Sequence, residues 1–484
     1  MTERDNRGPQ RGRTQRDGRS RDRRDAHDQR PSTVQPARRV AYDVISAVRE
    51  SDAYANLLLP TRISRAGLSA ADAGLATELT YGTLRMQGYY DRVIARASGR
   101  PVENIDPPIL DVLRLGAHQL LSTRVAPHAA VNESVALARG VGSRSATGFT
   151  NGVLREIGRH TPEEWRERVL ADARNGDDAL SALTSHPTWV VRAFRRSLEA
   201  EGREDELDAL LAADNDAPKV NLIALPGIAE APEGSQPDAF SPVGFTSGGG
   251  DPLRLMEEHG GRVRVQDEGS QLAALALSRA RPIVEGERWL DLCAGPGGKA
   301  ALLAAEALAG GATLVANEVV PARAELVRKA IASVPLDVTV WEKDGTTVGG
   351  SDPESFDRIL LDAPCTGLGA LRRRPEARWR KTPRDVAELT VLQADLLDSA
   401  VAALKPGGIL AYVTCSPHIA ETRAVVAAAL DRHAGGLEPV ETAAVLQDVA
   451  SSRLDLAGEP TQVQLWPHRH NTDAMFIALL AKRA

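Results

Sequence analysis

Apolar residues at helical spacing dominate the first third of the chain. Ala41, Val44 and Val48 recur at intervals of three and four residues, and the same spacing returns between residues 109 and 120. Few runs in this region alternate apolar and polar residues as a half-buried strand would. The pattern therefore predicts an all-α domain of five or more helices over residues 35–162.

A different pattern begins near residue 261, where short apolar runs alternate with helix-like stretches. Short buried strands that alternate with helices are typical of a mostly parallel sheet covered on both faces. We therefore predict an α/β domain with a doubly wound sheet over residues 261–484, whose ligands would bind at the carboxyl ends of its strands. The strands are predicted at residues 289–292, 312–316, 338–341, 358–361, 409–413 and 476–480, and the first two are followed by helices at residues 299–308 and 321–331.

Two further segments complete the organisation of the chain. Residues 163–260 mix a helix-like stretch after Ser185 with a strand-like run at residues 219–225, which predicts a small α/β connector domain. Residues 1–34 are rich in Arg, Asp, Gln and Gly and poor in apolar residues, so they are predicted to be disordered. Because the first 30 residues hold ten Arg against six acidic residues, a net charge of +4, this tail is either an RNA-contacting arm or a solubilising segment.

Composition narrows the class of protein. The 484 residues carry a formal net charge of −6, so local basic patches, and not overall charge, would have to hold any polynucleotide. No apolar run approaches the roughly 20 residues that span a bilayer, and the N-terminus lacks an apolar signal core, so we expect a cytoplasmic protein without membrane contact. The three cysteines are an odd, dispersed set without clustered histidines, which argues against disulfides and against a metal site.

The predicted strand ends carry a glycine-rich turn and several acidic residues. The first strand runs into Asp291-Leu-Cys-Ala-Gly-Pro-Gly-Gly-Lys299, whose glycines allow a ligand to approach closely but which lacks the G-x-G-x-x-G spacing of dinucleotide folds. The next three strands end at Glu318, near Asp344 and at Asp362. This combination suits an adenosine ligand without a pyrophosphate, and the sulfonium of S-adenosylmethionine favours nearby carboxylates. We therefore predict S-adenosylmethionine as the cofactor.

All three cysteines lie at the same predicted edge of the sheet. Cys293 lies in the glycine-rich turn, Cys365 follows the fourth strand, and Cys415 follows the fifth. A buried Cys is usually an inert small hydrophobe, but this shared position favours covalent chemistry for Cys365 and Cys415 and leaves Cys293 either a structural role or a place beside the cofactor. A thiolate that adds to carbon 6 of cytosine makes carbon 5 able to accept a methyl group. Asp362 is suited to hold ring nitrogen 3 during this step.

At these residues the chain resembles a known family. Residues 291–299, 362–374 and 414–416 are similar to the signature motifs of the Sun-type RNA cytosine-5 methyltransferases, and the helical part is similar to the NusB-type RNA-binding domain. The NusB-like stretches are residues 37–42, 113–121, 131–138 and 149–155, and residues 266–271 and 466–476 match further motifs of the methyltransferase family. The resemblance covers residues 36–484 and points to the bacterial member that acts on 16S rRNA.

The resemblance implies a Rossmann-like methyltransferase domain and a role for each cysteine. Cys415 would be the nucleophile, and Cys365 would assist breakdown of the covalent adduct. The implied partner is 16S rRNA or a small-subunit assembly intermediate, and we expect a monomer. Cofactor contacts are implied at Cys293, Ala294, Gly295, Pro296, Gly297, Gly298, Lys299, Glu318, Asp344 and Asp362. The chain departs from the family pattern at Gly295 (usually Ala), Glu318 (Asp), Thr366 (Ser) and Glu421-Thr422 (Glu-Asn).

A basic run follows the Pro-Cys motif directly. Residues 372–381 hold six Lys or Arg together with Trp379. A solvated charge run is the ordinary interpretation of such a segment, but its place beside Cys365 favours contact with the RNA backbone and stacking on an exposed base. The predicted RNA-binding residues are Arg372, Arg373, Arg374, Arg378 and Arg380.

Two other functions remain open at this point. The same fold could methylate DNA or a small molecule, or the helical domain could belong to a non-catalytic RNA-binding or antitermination protein. The Thr-Cys motif and the helical domain argue against the first. The intact glycine-rich turn and both cysteines argue against the second.

Overall fold

The computed structural model describes residues 34–51, 53–248 and 252–484. The predicted disordered tail therefore lies outside the described residues except for Val34, which packs against the helical core. Within the described residues, no helix is long and apolar enough to cross a membrane.

The first domain is all-α, as predicted, and packs around one hydrophobic core. Its helices are α1 (Pro36–Glu50), α2 (Ala55–Arg65), α3 (Ala70–Arg85), α4 (Gln87–Ser98), α5 (Pro107–Ser122), α6 (Pro127–Val141) and α7 (Arg144–Ile157). Proline begins α1, α5 and α6, at a position where a backbone N–H would lack a helical partner, and Ser69 and Ser143 cap α3 and α7. The same core takes in Trp165, Val169 and Ala182, so it extends beyond the predicted boundary at residue 162.

The connector combines helices with a small antiparallel sheet. It contains α8 (Pro162–Ala171), α9 (Gly176–Thr184), α10 (Thr188–Glu199), α11 (Leu207–Ala213), β1 (Asn221–Ala224), β2 (Gln236–Pro237), β3 (Gly244–Thr246), α12 (Pro252–Glu258) and β4 (Val263–Val265). The strand order is β2-β3-β1-β4. Strand β4 lies beyond the predicted boundary at residue 260, because it pairs with β1 and not with the large sheet. Apolar residues of α10 and α11 pack against Leu368, Leu371 and Trp466 of the last domain.

The last domain is α/β, as predicted. Its first half contains α13 (Glu268–Arg279), β5 (Arg288–Asp291), α14 (Gly298–Gly310), β6 (Thr313–Asn317), α15 (Pro321–Ile331), β7 (Thr339–Trp341), α16 (Val348–Ser351) and β8 (Phe356–Asp362). Its second half contains α17 (Ala377–Arg380), α18 (Pro383–Ala403), β9 (Leu404–Thr414), α19 (Arg423–Arg432), β10 (Leu437–Pro439), α20 (Thr442–Val449), β11 (Gln462–Gln464), α21 (Pro467–His470) and β12 (Phe476–Lys482). The short strands β10 and β11 were not predicted from the sequence.

The strand order of the large sheet is β10-β12-β9-β8-β5-β6-β7, and β11 pairs with β12. Strands β7, β6, β5, β8 and β9 are parallel, whereas β12 runs antiparallel to β9. After β5, the chain forms β6 and β7 on one side of β5 and then crosses over to form β8 on the other side. The order therefore reverses between β5 and β8, which is the place where open α/β sheets bind ligands.

Helices cover both faces of this sheet. Along β9, Ala411 and Val413 enter the apolar layer formed with α13 and α14, whereas Leu410 and Tyr412 enter the layer formed with α18 and α19. Because both faces are buried, the strands appear in the sequence as nearly continuous apolar runs. The arrangement leaves the carboxyl ends of the parallel strands as a shared edge.

Candidate active site

The glycine-rich turn after β5 packs directly against a carboxylate at the end of the next strand. The Gly295 N–H donates to Glu318 Oε2 at 3.1 Å, and the Arg323 guanidinium donates to the Gly295 carbonyl at 2.6 Å. A Cβ atom on Gly295 would lie 2.1 Å from Glu318 Oε2. A side chain at this position would therefore require the Glu318 carboxylate to shift.

Glu318 itself is buried, at 3% exposure, directly after β6. Besides Gly295, its carboxylate accepts a hydrogen bond from the Val320 N–H at 3.0 Å and pairs with Arg323 at 3.4 Å. These contacts orient the carboxylate at the edge of the turn. Its predicted contact with the cofactor stays a prediction.

A side-chain amide ties three strand ends together. Asn317 Nδ2 donates to the carbonyls of Leu292 and Lys343, at 3.1 Å each, and its Oδ1 accepts from the Lys343 N–H at 3.0 Å. Asp344 follows at once, is exposed, and accepts from the Thr346 N–H at 3.0 Å. The predicted acidic positions after β6 and β7 are thus held on one edge with the turn after β5.

Two residues near the turn were given no role from the sequence. Gln266 is 6% exposed, and neither atom of its side-chain amide has a hydrogen-bond partner among the described residues. Its amide atoms lie 3.8–4.0 Å from where a Cβ on Gly298 would stand. Asp291 is fully buried below the turn, and burial, then the charge of Asp362, raises its pKa to about 8. The unpartnered amide, the glycine turn and the acidic edge fit the polar groups of S-adenosylmethionine.

Lys299 contacts Asp362 across the mouth of this turn. The Lys299 ammonium lies 2.9 Å from Asp362 Oδ2, and the Asp362 side chain is 28% exposed. Burial acts to lower the pKa of Lys299, but the Asp362 charge and hydrogen bond outweigh it and the pKa is raised. Lys299 therefore stays charged and fixes Asp362 at the end of β8.

The structure brings Cys365 and Cys415 together. Both cysteines are half-buried, and their Sγ atoms lie 3.5 Å apart. Cys365 lies in the loop after β8 and Cys415 directly follows β9, and these two strands are parallel neighbours with Asp362 opposite Val413. The adjacency of the strands thus places two distant parts of the sequence in one thiol pair.

The two thiols differ in their surroundings. The hydrogen bond from Cys365 lowers the pKa of Cys415 against the effects of burial and Asp362, and the cations Lys299 and Arg374 lower it further. The same hydrogen bond and burial raise the pKa of Cys365 well above its usual range. Cys415 is therefore the sulfur that loses its proton first, with Cys365 as its hydrogen-bond donor.

Cys293 behaves differently from this pair. Burial, followed by the negative charges of Asp291 and Asp362, raises the pKa of its thiol above the usual range. A thiol that keeps its proton is a poor nucleophile. This agrees with the structural role expected for Cys293.

Three of the five arginines predicted to bind RNA donate hydrogen bonds within the protein, and their predicted contact with RNA stays a prediction. Arg378 is 0% exposed and donates to the carbonyls of Arg85 and Ser185 at 3.2 and 3.1 Å. Arg372 is 3% exposed and donates to Asn471 at 2.8 Å. Arg380 donates to the carbonyls of Val48 and Ala53 at 2.5 and 2.7 Å. A guanidinium has five N–H donors, which suits it to collecting backbone carbonyls at a junction between domains.

The remaining arginines of the run lie closer to the surface. Arg373 pairs with the buried carboxylate of Asp473. Arg374 is exposed, and its guanidinium lies 5.4 Å from the ring centroid of Tyr54 in the helical domain. These two stay candidates for RNA contact.

The basic run, residues 372–381, also connects the helical domain to the loop that contains Cys365. The Ala55 N–H donates to Glu376 Oε1 at 3.0 Å, and the Arg85 guanidinium donates to the Arg372 carbonyl at 3.1 Å. A Cβ on Gly88 would lie 2.3 Å from the Trp379 ring. The helical domain is therefore packed against the segment that follows Cys365.

Known proteins resemble this chain over nearly its whole length. Residues 280–481 match the family described as 16S rRNA methyltransferase RsmB/F, and residues 35–159 match the NusB family. A Mycobacterium tuberculosis protein named as a methyltransferase is 46% identical over 93% of this chain and 97% of its own. The ribosomal RNA small subunit methyltransferase B of Pseudomonas putida is 32% identical over 83% of this chain and 90% of its own.

A solved structure shares the fold. The crystal structure of PH0851 superposes with a TM-score of 0.75 at 22% sequence identity and covers 93% of this chain and 99% of that one. The glycine turn and its acidic edge thus lie in a methyltransferase domain whose cofactor is S-adenosylmethionine. With both matched regions and relatives that span most of its length, the chain belongs to the RsmB/F family of 16S rRNA methyltransferases.

Proposed function

We propose that the chain methylates carbon 5 of a cytosine in 16S rRNA through a covalent adduct between Cys415 and carbon 6. The observation that carries this proposal is the cysteine pair, with Sγ atoms 3.5 Å apart beside the Lys299–Asp362 ion pair. The lowered pKa of Cys415 supports its role as nucleophile. A single buried thiol would be equally consistent with a packing role. Two adjacent thiols whose pKa values are shifted in opposite directions are better explained by covalent catalysis.

The first step is addition of the Cys415 thiolate to carbon 6 of the cytosine. Bound S-adenosylmethionine would supply an electrophilic methyl group, to which carbon 5 of the adduct bonds while the methyl–sulfonium bond breaks. Asp362, held by Lys299, is proposed to enter this step as the neutral carboxylic acid and to donate its proton to ring nitrogen 3 while the ring loses its aromaticity, and to take the proton back when the adduct collapses. Cys365 keeps its proton at this stage and donates to the Cys415 sulfur.

The second step is release of the enzyme. Once Cys415 is bonded to carbon, its sulfur no longer carries the negative charge that helps to raise the pKa of Cys365. Cys365 is then proposed to release its own proton to solvent, and its thiolate accepts the carbon 5 proton, directly or through a water molecule. The carbon 5–carbon 6 double bond reforms and Cys415 leaves as a thiolate, so the two thiols act in sequence.

The RNA partner is proposed from the domain organisation. The helical domain matches the NusB family and packs against the segment that follows Cys365. Arg374, which is exposed and lowers the pKa of Cys415, and Arg373 are the residues of the basic run proposed to contact the RNA backbone. The substrate is proposed to be 16S rRNA or a small-subunit assembly intermediate, which would place the enzyme in the cytoplasm.

A methyl-transfer assay tests the proposed function. The chain is incubated with methyl-labelled S-adenosylmethionine and 16S rRNA, and the RNA is digested to nucleosides. We expect the label in 5-methylcytidine. Matched DNA, and RNA in which uridine replaces cytosine, serve as controls. Label in another nucleoside, or equal transfer to DNA, would contradict the proposal.

Loss of Glu318 is expected to weaken cofactor binding. Glu318→Ala removes a charged acceptor and the contact that holds Gly295. Hydrogen bonds to charged groups contribute about 1.5–3 kcal/mol, so the Kd for S-adenosylmethionine should rise at least about tenfold by titration calorimetry. Glu325→Ala, an exposed position on α15, is the matched control. An unchanged Kd for Glu318→Ala would remove Glu318 from the cofactor site.

A further inference from the structure

Behind the two cysteine loops lies a carboxylate that the steps above do not use. Glu421, in the 3-10 turn Ile419–Glu421 after β9, is 0% exposed. Its Oε1 atom accepts hydrogen bonds from the Thr366 N–H at 2.7 Å and the Gln393 amide at 3.3 Å. Its Oε2 atom accepts from the Ser416 hydroxyl at 2.7 Å and from the Thr366 hydroxyl. These four donors match the four acceptor positions of a carboxylate.

The donors are the immediate neighbours of the cysteines. Thr366 follows Cys365, and Ser416 follows Cys415. Gln393 of α18 also donates to the Pro364 carbonyl at 2.8 Å, so the same network holds both sides of Cys365. One carboxylate thus connects the loop after β8 to the loop after β9.

Glu421 is in turn fixed to the sheet. The Tyr412 hydroxyl of β9 donates to the Glu421 backbone carbonyl at 2.8 Å. The four groups that donate to its carboxylate are neutral, so none of them cancels its negative charge. That charge therefore acts on the neighbouring groups. It adds to the effects of the Cys415 hydrogen bond and of burial in raising the pKa of Cys365.

We propose that Glu421 is the positioning residue of the cysteine pair: it holds both loops so that the Cys365 thiol donates to the Cys415 sulfur. The proposal rests on the proposed function, in which Cys415 is the nucleophile. Glu421 acts through Thr366 and Ser416 and does not touch the reacting atoms. The charged or titratable groups around the pair and Glu421 include Lys299, Asp362, Arg373, Arg374, Tyr412 and His418.

The test is thiol reactivity in the full chain without RNA. Glu421→Gln keeps the size of the side chain, removes its charge and turns an amide N–H toward the donors. Iodoacetamide alkylation is followed against pH, and each cysteine is identified by peptide mass. In the wild type, Cys415 is expected to react before Cys365. In Glu421→Gln the ratio of their rates at neutral pH should fall several-fold, because the carboxylate charge no longer helps to raise the pKa of Cys365.

A matched control separates positioning from general loss of a buried glutamate. Glu306 of α14 is also buried, accepts from the Ser278 hydroxyl at 3.0 Å and pairs with Arg279, outside the cysteine loops. Glu306→Gln is expected to leave the alkylation ratio unchanged. Thr366→Val, which keeps the carboxylate and removes one donor, should shift the ratio in the same direction by a smaller factor and serves if Glu421→Gln does not fold.

Steady-state kinetics give the second readout. We expect Glu421→Gln to lower kcat. The KM for S-adenosylmethionine should stay unchanged, because none of the hydrogen bonds of Glu421 described above reaches the glycine-rich turn at residues 291–299. Wild-type alkylation order and a wild-type pH–rate profile in both Glu421→Gln and Thr366→Val would overturn the proposal. A shifted ratio in a chain that transfers no methyl to cytosine would support the positioning role and contradict the proposed function instead.

Discussion

Replacing Cys415 with Ala is expected to abolish both methyl transfer and any covalent protein–RNA adduct. Addition of this thiolate to carbon 6 is the step that makes carbon 5 nucleophilic. The other two thiols have raised pKa values and stay protonated, so neither replaces it. The loss should be roughly 10⁴-fold or more, the scale expected when a covalent nucleophile is removed. Methyl incorporation and a denaturing gel of the RNA reaction measure the two effects.

Cys365→Ala is expected to separate adduct formation from release. Cys415 remains able to attack, so the adduct forms, but loss of the carbon 5 proton is slowed. The variant should run as a protein–RNA complex on a denaturing gel, and the double variant should not. Cys293→Ala changes the glycine-rich turn and neither thiol of the pair, so it is the control for trapping and should form no stable complex.

Two other patterns would contradict the assignment. An adduct trapped by Cys415→Ala would make Cys365 the nucleophile, which is the arrangement of the DNA cytosine-5 methyltransferases. No adduct from any variant would reduce both cysteines to packing residues. Either result would leave the cofactor site at the glycine turn unaffected.

Arg378→Met is expected to cost about 3–5 kcal/mol of the free energy of unfolding, the loss typical of removing one partner from a buried charged network. Arg378 is 0% exposed and bonds the carbonyls of Arg85, Ser185 and Asp214. Without it, these carbonyls lose their hydrogen-bond donor at the junction of the domains. The buried Asp214 carboxylate, whose pKa burial raises to about 7, also loses its neighbouring cation. Urea unfolding measures the change.

The control for this prediction is an arginine on the surface. The Arg384 side chain is 88% exposed and pairs with Glu388 on α18, so Arg384→Met should change stability by less than about 0.5 kcal/mol. If Arg378 instead contacts RNA, Arg378→Met would keep its stability and lose RNA affinity, with a shallower dependence on salt. That outcome would restore the original interpretation of the basic run.

Much of the α/β domain was predictable because local patterns determine it. Strands buried on both faces leave apolar runs, and residues that must meet a ligand follow the carboxyl end of each run. The turn at residues 291–299 and the acidic positions Glu318, Asp344 and Asp362 were found in this way. Strands β4, β10 and β11 were not, because each is short and its residues form no continuous apolar run.

The cysteine pair shows where this kind of inference stops. The sequence placed Cys365 and Cys415 at one edge of a sheet, 50 residues apart along the chain. Which thiol has the lower pKa depends on groups that folding brings to the pair. Lys299 and Arg374 lower the pKa of Cys415, whereas Glu421 raises the pKa of Cys365. The Glu421-Thr422 pair was noted only as a departure from a motif, since burial and four converging donors leave no trace in a local pattern.

The basic run gives the clearest contrast between the two levels. Composition and spacing identified residues 372–381 as a concentration of charge beside Cys365, and the NusB-like motifs identified a helical domain far earlier in the chain. Only the tertiary structure shows that these two regions pack on one another. Arg378 and Arg380 donate to carbonyls of the helical domain and the connector, whereas Arg372 donates to Asn471 within the α/β domain. The physical reason is that periodicity and motif spacing are properties of neighbours along the chain, whereas burial and hydrogen-bond partners depend on residues hundreds of positions away.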